Sequence, residues 1–101
     1  MVADLWTVAS EERRRAAFEQ FHAVNPHVWA EFERRALALI AMGRARYSAR
    51  TIIEAIRWHF DAQTSSADGF KINDHHSAFY ARLFAERHPA HGEFFKMKGE
   101  K

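Results

Sequence analysis

Cysteine is absent from this chain, so disulfides and thiolate-held metals are excluded and the redox compartment stays open. No apolar run approaches the ~20 residues that a membrane span needs. The opening residues, Met1 to Arg15, have neither a basic start nor a long apolar stretch, and they read as no signal peptide. There is no glycine-rich phosphate loop, no HExxH, and no pair of histidines four apart on a helix. Internal repeats and low-complexity segments are also missing. These absences point to a soluble cytoplasmic protein that is not an enzyme and has no cofactor or metal site. Proline is scarce too, and both copies, Pro26 and Pro89, mark helix boundaries.

What is present suits one packed core. At 101 residues the chain is a single domain, too short for two. Its hydrophobic share is 48%, and aromatics make up 14%, so a few large side chains can fill the interior. Net charge is only +2, with 15 basic residues against 13 acidic ones. So small an excess is weak support for a nucleic-acid partner; where the cations sit decides the matter.

In chain order, residues 1–9 read as a loose arm. Ser10 before Glu11 and Glu12 signals a helix start, with a hydroxyl cap and acids at the positive end of the dipole. Ala17, Phe18, Phe21 and Val24 then repeat at helical spacing, predicting a first helix over about 11–24. Arg13, Arg14 and Arg15 fan over most of its circumference and read as a solvated face paired with nearby acids. Asn25-Pro26 is a cap followed by a first-turn proline. A second helix over about 26–42 carries the stripe Val28, Trp29, Phe32, Ala36, Leu39 and Ile40, and Gly43 ends it. Ser48 caps a third helix over about 49–62, whose inner face is Ile52, Ile53, Ile56 and Phe60.

A polar turn precedes Phe70–Asn73, where apolar and polar residues alternate as in a short extended segment or hairpin. Asn73 or Asp74 caps a fourth helix to about 88, with Phe79, Tyr80, Leu83 and Phe84 inward. Phe94, Phe95 and Met97 dock on the body, and residues 98–101 fray. The fold class is mainly α: a compact single-domain bundle of four main helices, open to a winged helix-turn-helix-like form.

Asp74-His75-His76 matches a triplet seen in some metal-dependent phosphoesterases and ββα nucleases, but the further ligands those need are missing. The histidines therefore read as exposed or base-contacting. A binding surface is better supported. Arg44, Arg46, Tyr47, Ser48 and Arg50 surround the start of the third helix, with Arg57 farther along it. Such a basic turn between helices can hold phosphates while a helix start enters the major groove. Lys71, Asn73, His75 and His76 would gather at the start of the fourth helix, with Arg82 beyond. The sequence leaves open which of these two helices does the reading. The expectation requires both groups to converge on one electropositive side.

The run from Arg46 to Pro89, with IRW at 56–58, FKIND at 70–74 and YARLF at 80–84, together with NPHVW at 25–29 and the Phe94-Phe95 pair, resembles a family of small phage and prophage proteins with no established activity, over about Phe18 to Phe95. The resemblance implies a phage origin and a place in the host-cell cytoplasm. Two readings follow. One is a phage-type DNA-binding module, a regulator or replication accessory. The other is an inhibitor that binds a host defence or replication protein (anti-CRISPR-like), anchored by Trp6, Trp29, Trp58, Phe94 and Phe95. A homodimer is compatible with either.

Overall fold

The structure is a computed structural model, and it describes residues 4–63, 72 and 75–95. Four helices follow in order: α1 (Asp4–Val24), α2 (Pro26–Ala41), α3 (Ala49–Gln63) and α4 (His76–Arg87), then a 3-10 turn at Pro89–His91. Among the described residues α1 packs on α2 and α4, and α3 packs on the same pair, while α1 and α3 do not meet. The pair α2 and α4 is thus the middle of the bundle, flanked by the other two.

Helix α1 starts six residues before the predicted cap. Ser10 lies inside it, and its hydroxyl accepts from Arg13 Nη2 at 3.2 Å. No glycine or proline interrupts residues 4–9, so the helix continues backward through them, and a serine at the helix surface is tolerated there. The arm is therefore helical from Asp4. Of the predicted apolar repeat, Phe18 is buried and Phe21 packs beside it, but Val24 is exposed.

One residue separates α1 from α2. The Asn25 amide nitrogen donates back to the Phe21 carbonyl at 3.1 Å, as does its backbone N–H at 2.8 Å. Asn25 therefore closes α1 and makes no side-chain cap on α2, which starts on the fixed φ of Pro26. The far end of α2 is a Schellman closure: Arg44 N–H donates to Leu39 O at 3.1 Å and Gly43 N–H to Ile40 O at 2.9 Å. Gly43 takes φ +93° there, a backbone state that a side chain resists. Helix α3 opens as predicted, with Thr51 N–H donating to Ser48 Oγ at 3.2 Å.

The core joins all four helices. Val28, Phe32 and Ala36 of α2, Ile52, Ile53 and Ile56 of α3, and Tyr80 and Phe84 of α4 are buried. Phe32 and Tyr80 stack at 5.4 Å, and Trp29 lies parallel to Tyr80 at 6.2 Å. Each such ring contributes ~1.5–3 kcal/mol by burial alone. Phe94 and Phe95 are buried as expected, with Phe95 at 5.1 Å from Phe32 and 5.2 Å from Phe84. Pro89 ends α4 and opens the 3-10 turn. No strand occurs among the described residues, so no wing is formed among them. Phe70, Lys71, Asn73, Asp74 and Met97 lie outside the described residues. Ile72 is described and buried.

Candidate nucleic-acid interface

Hydrogen bonds at both ends and one in the middle hold the turn between α2 and α3. The Schellman closure fixes one side and the Ser48 cap fixes the other. Between them Tyr47 N–H donates to Phe94 O at 3.1 Å, tying the turn to the chain after α4. Arg44 and Arg46 are exposed and form no ion pair among the described residues. They line a shallow pocket of about 280 Å³ with His91 and Glu93, over Ile40 and Phe94. Arg50 is exposed in the first turn of α3. Tyr47 is half-buried against the core, so it braces the turn.

Three other arginines, on α2 and α3, are held by carboxylates or a backbone carbonyl. Arg34 and Arg35 both bind Glu31, Arg35 Nε at 2.7 Å. The Arg34 guanidinium, with Arg35 behind it, holds the Glu31 carboxyl down at about 2. Arg57 donates to Ile72 O at 2.6 Å and to Glu54 Oε1 at 3.1 Å. The sequence reading places it against nucleic acid; in the structure its guanidinium ties α3 to the carbonyl of the buried Ile72.

The second expected group is divided. His75 is exposed at the start of α4, and Arg82 is exposed two turns on. His76 is 4% exposed, its ring against Phe18 at 5.6 Å and Phe21 at 5.0 Å. A ring so enclosed cannot reach a base edge, which corrects the expectation for His76. Its place one residue after His75 on a helix turns it inward, where one apolar face meets α1. Both its ring nitrogens are buried without a hydrogen-bond partner among the described residues, as is the Tyr80 hydroxyl. Burial, and secondarily the charge of His75, lowers the His76 pKa below its ordinary 6.5, and burial pushes the Tyr80 hydroxyl up. Lys71 and Asn73 lie outside the described residues.

The two groups do not share a pocket. Tyr47 meets the chain that leaves α4, whereas Arg57 meets the residue that leads into it, so α3 and α4 run antiparallel. The arginine turn and His75 are separated by the length of α4, 12 residues or about 18 Å.

His75 and Arg82 instead join two residues whose sequence reading is a solvated face. Arg14 and Arg15 of α1 line a groove with them, floored by Phe79. The spacing held the signal: 11, 14 and 15 share one face of α1, and 75, 78, 79 and 82 share one face of α4. Arg13 turns away, its guanidinium 5.4 Å from the Trp6 ring.

Among the anchors expected for a protein partner, Trp29, Phe94 and Phe95 are buried, while Trp6 and Trp58 are 73% and 74% exposed. No helix among the described residues is long and apolar enough to cross a membrane. No group of three or more potential metal ligands gathers among them. Comparison with protein-family models, with curated proteins and with solved structures returned no match.

Proposed function

We propose that this protein is a phage-type nucleic-acid-binding module, a regulator or replication accessory in the host cytoplasm, that holds phosphates on the α2–α3 turn alone, since the start of α4 does not converge with that turn as the two-group expectation required. One observation carries the reading. Arg44 and Arg46 are exposed, lack a carboxylate partner among the described residues, and stand at the capped start of α3. Cations held ready in this way favour a polyanion, and a capped helix start beside them suits helix-turn-helix-like docking. The resemblance to small phage proteins sets the context, and a homodimer would give symmetric half-sites.

Fluorescence anisotropy on a labelled duplex tests the reading. At ~50 mM salt the chain should bind with a Kd below ~100 µM, and the affinity should fall as salt rises, with a log–log slope of about −0.9 per phosphate held. The pair Arg44→Glu and Arg46→Glu should weaken binding to all sequences alike and flatten that slope. Absence of binding at that salt would remove the proposal.

A second reading rests on Trp6 and Trp58, large rings left in solvent on α1 and α3. They would anchor a host protein, making the chain an inhibitor. Capture of a host protein that survives nuclease treatment and is lost in Trp58→Ala favours this reading over the first.

A further inference from the structure

From the groove between α1 and α4 we infer that the chain has a second phosphate-binding site, separate from the α2–α3 turn and standing whether or not that turn binds nucleic acid. Three arginines converge there: Arg14 and Arg15 from α1, and Arg82 from α4, with His75 at the same rim. Glu11 is the one carboxylate in the lining, so the groove carries two positive charges more than negative, as large an excess as that of the whole chain. Glu11 forms no ion pair with Arg14 or Arg15, so the acid does not quench the cations beside it.

The floor holds the cations in place. The guanidinium carbons of Arg15 and Arg82 each lie 5.5 Å from the centre of the Phe79 ring, so they come from two helices to one aromatic ring. Phe79 is itself stacked on Phe18 at 5.1 Å and 16°, and Phe18 is core. The ring is therefore a fixed platform, and it orients two like charges that would otherwise repel. An anion between them relieves that repulsion and receives planar, multidentate donors. The groove, about 320 Å³, falls at the small end of ligand sites, which start at ~300 Å³. A phosphate group fits that chemistry, whether it belongs to a nucleic-acid backbone or to a small free phosphate.

The test is titration of the full chain, followed by NMR at the amides of Ala78, Phe79 and Arg82, with pyrophosphate in one arm and a short duplex in the other. Arg14→Gln with Arg82→Gln is the disabling pair. Both residues are exposed, and an unchanged far-UV circular dichroism spectrum certifies the fold. Arg14→Gln alone serves as a milder check. Shifts with pyrophosphate that weaken about tenfold in the double variant identify a site for free phosphate. Shifts with duplex alone, with the salt slope reduced by ~0.9 for each phosphate no longer held, identify binding to the nucleic-acid backbone. No shift in either arm, or shifts that persist unchanged in the double variant, overturns the inference. Arg44→Glu with Arg46→Glu leaves the pyrophosphate response intact, so failure of the turn and failure of the groove are told apart.

Discussion

The turn between α2 and α3 and the seam between α1 and α4 both present arginines, but they are built in opposite ways. At the turn, short-range hydrogen bonds close each helix end: Gly43 and Arg44 onto α2, Thr51 onto Ser48. At the seam, side chains distant in sequence meet, and His76 and Tyr80 are enclosed without partners for their polar atoms among the described residues. An enclosed polar atom with no partner costs ~1–3 kcal/mol, so the seam gains its stability from ring packing against that cost. The difference teaches which surface can tolerate change. The turn depends on backbone conformation and leaves its side chains available, whereas the seam depends on side chains and so couples its groove to the core.

The sharpest way to break the comparison is Phe18→Ala. Phe18 is the hub of the seam, its ring packed against those of His22, His76, Phe79 and Tyr80. Its truncation should cost about 3–5 kcal/mol in urea unfolding, as for other buried phenylalanines. It should also slacken the groove through Phe79 while leaving the turn formed. A loss under about 1 kcal/mol, the size of a surface effect, would mean that α1 is no part of the core.

The same division explains what was legible in the sequence. Gly43, Ser48, Pro26 and Pro89 carry their meaning locally, so the ends they mark could be read directly. The stripes of α2 and α3 were legible because one apolar period serves one buried face. Ser10 misled because a helix-start signature and a mid-helix surface serine look alike; only the absence of a breaker upstream distinguished them. Asn25 misled because its amide can face either helix. The bond from Arg57 to Ile72 joins residues 15 apart and has no local signature. The groove was half legible: each helix shows the spacing of its own face, but nothing in one strip names the other.

A second test sharpens the comparison at its polar centre. His76→Leu keeps the volume roughly and removes both unpartnered nitrogens. It should raise stability at pH 7 by about 1–3 kcal/mol, the cost of leaving such a group buried and unpaired. Its pH signature is the more specific readout. The folded-state pKa of His76 lies below the unfolded value near 6.5, so the unfolded chain takes up the proton first. That contribution to stability is complete above pH 6.5 and declines as pH falls below it. Urea unfolding at pH ~7.5 and ~5.5 should therefore show a smaller drop in His76→Leu than in the wild type. Equal drops would mean that the ring already has a partner.

The smallest effect probes the turn by backbone alone. Gly43 has φ +93°, and nothing lies within 4 Å of where a Cβ would stand. Any penalty for Gly43→Ala is therefore conformational, about 1 kcal/mol for an L-residue in the left-handed region. Gly43→Asn should recover part of it, since asparagine tolerates that region better. Gly92→Ala is the control: its φ is −63°, and the added Cβ would meet only Pro89 O at 3.4 Å, an ordinary contact. Thermal unfolding should leave Gly92→Ala within about 0.5 kcal/mol of wild type. Duplex affinity adds the discriminating readout. If α2 closure aims Arg44, Gly43→Ala weakens binding beyond its stability cost and Gly92→Ala does not. If binding is unmoved at Gly43, the arginines act as loose charges and the defined geometry of the turn contributes nothing to recognition.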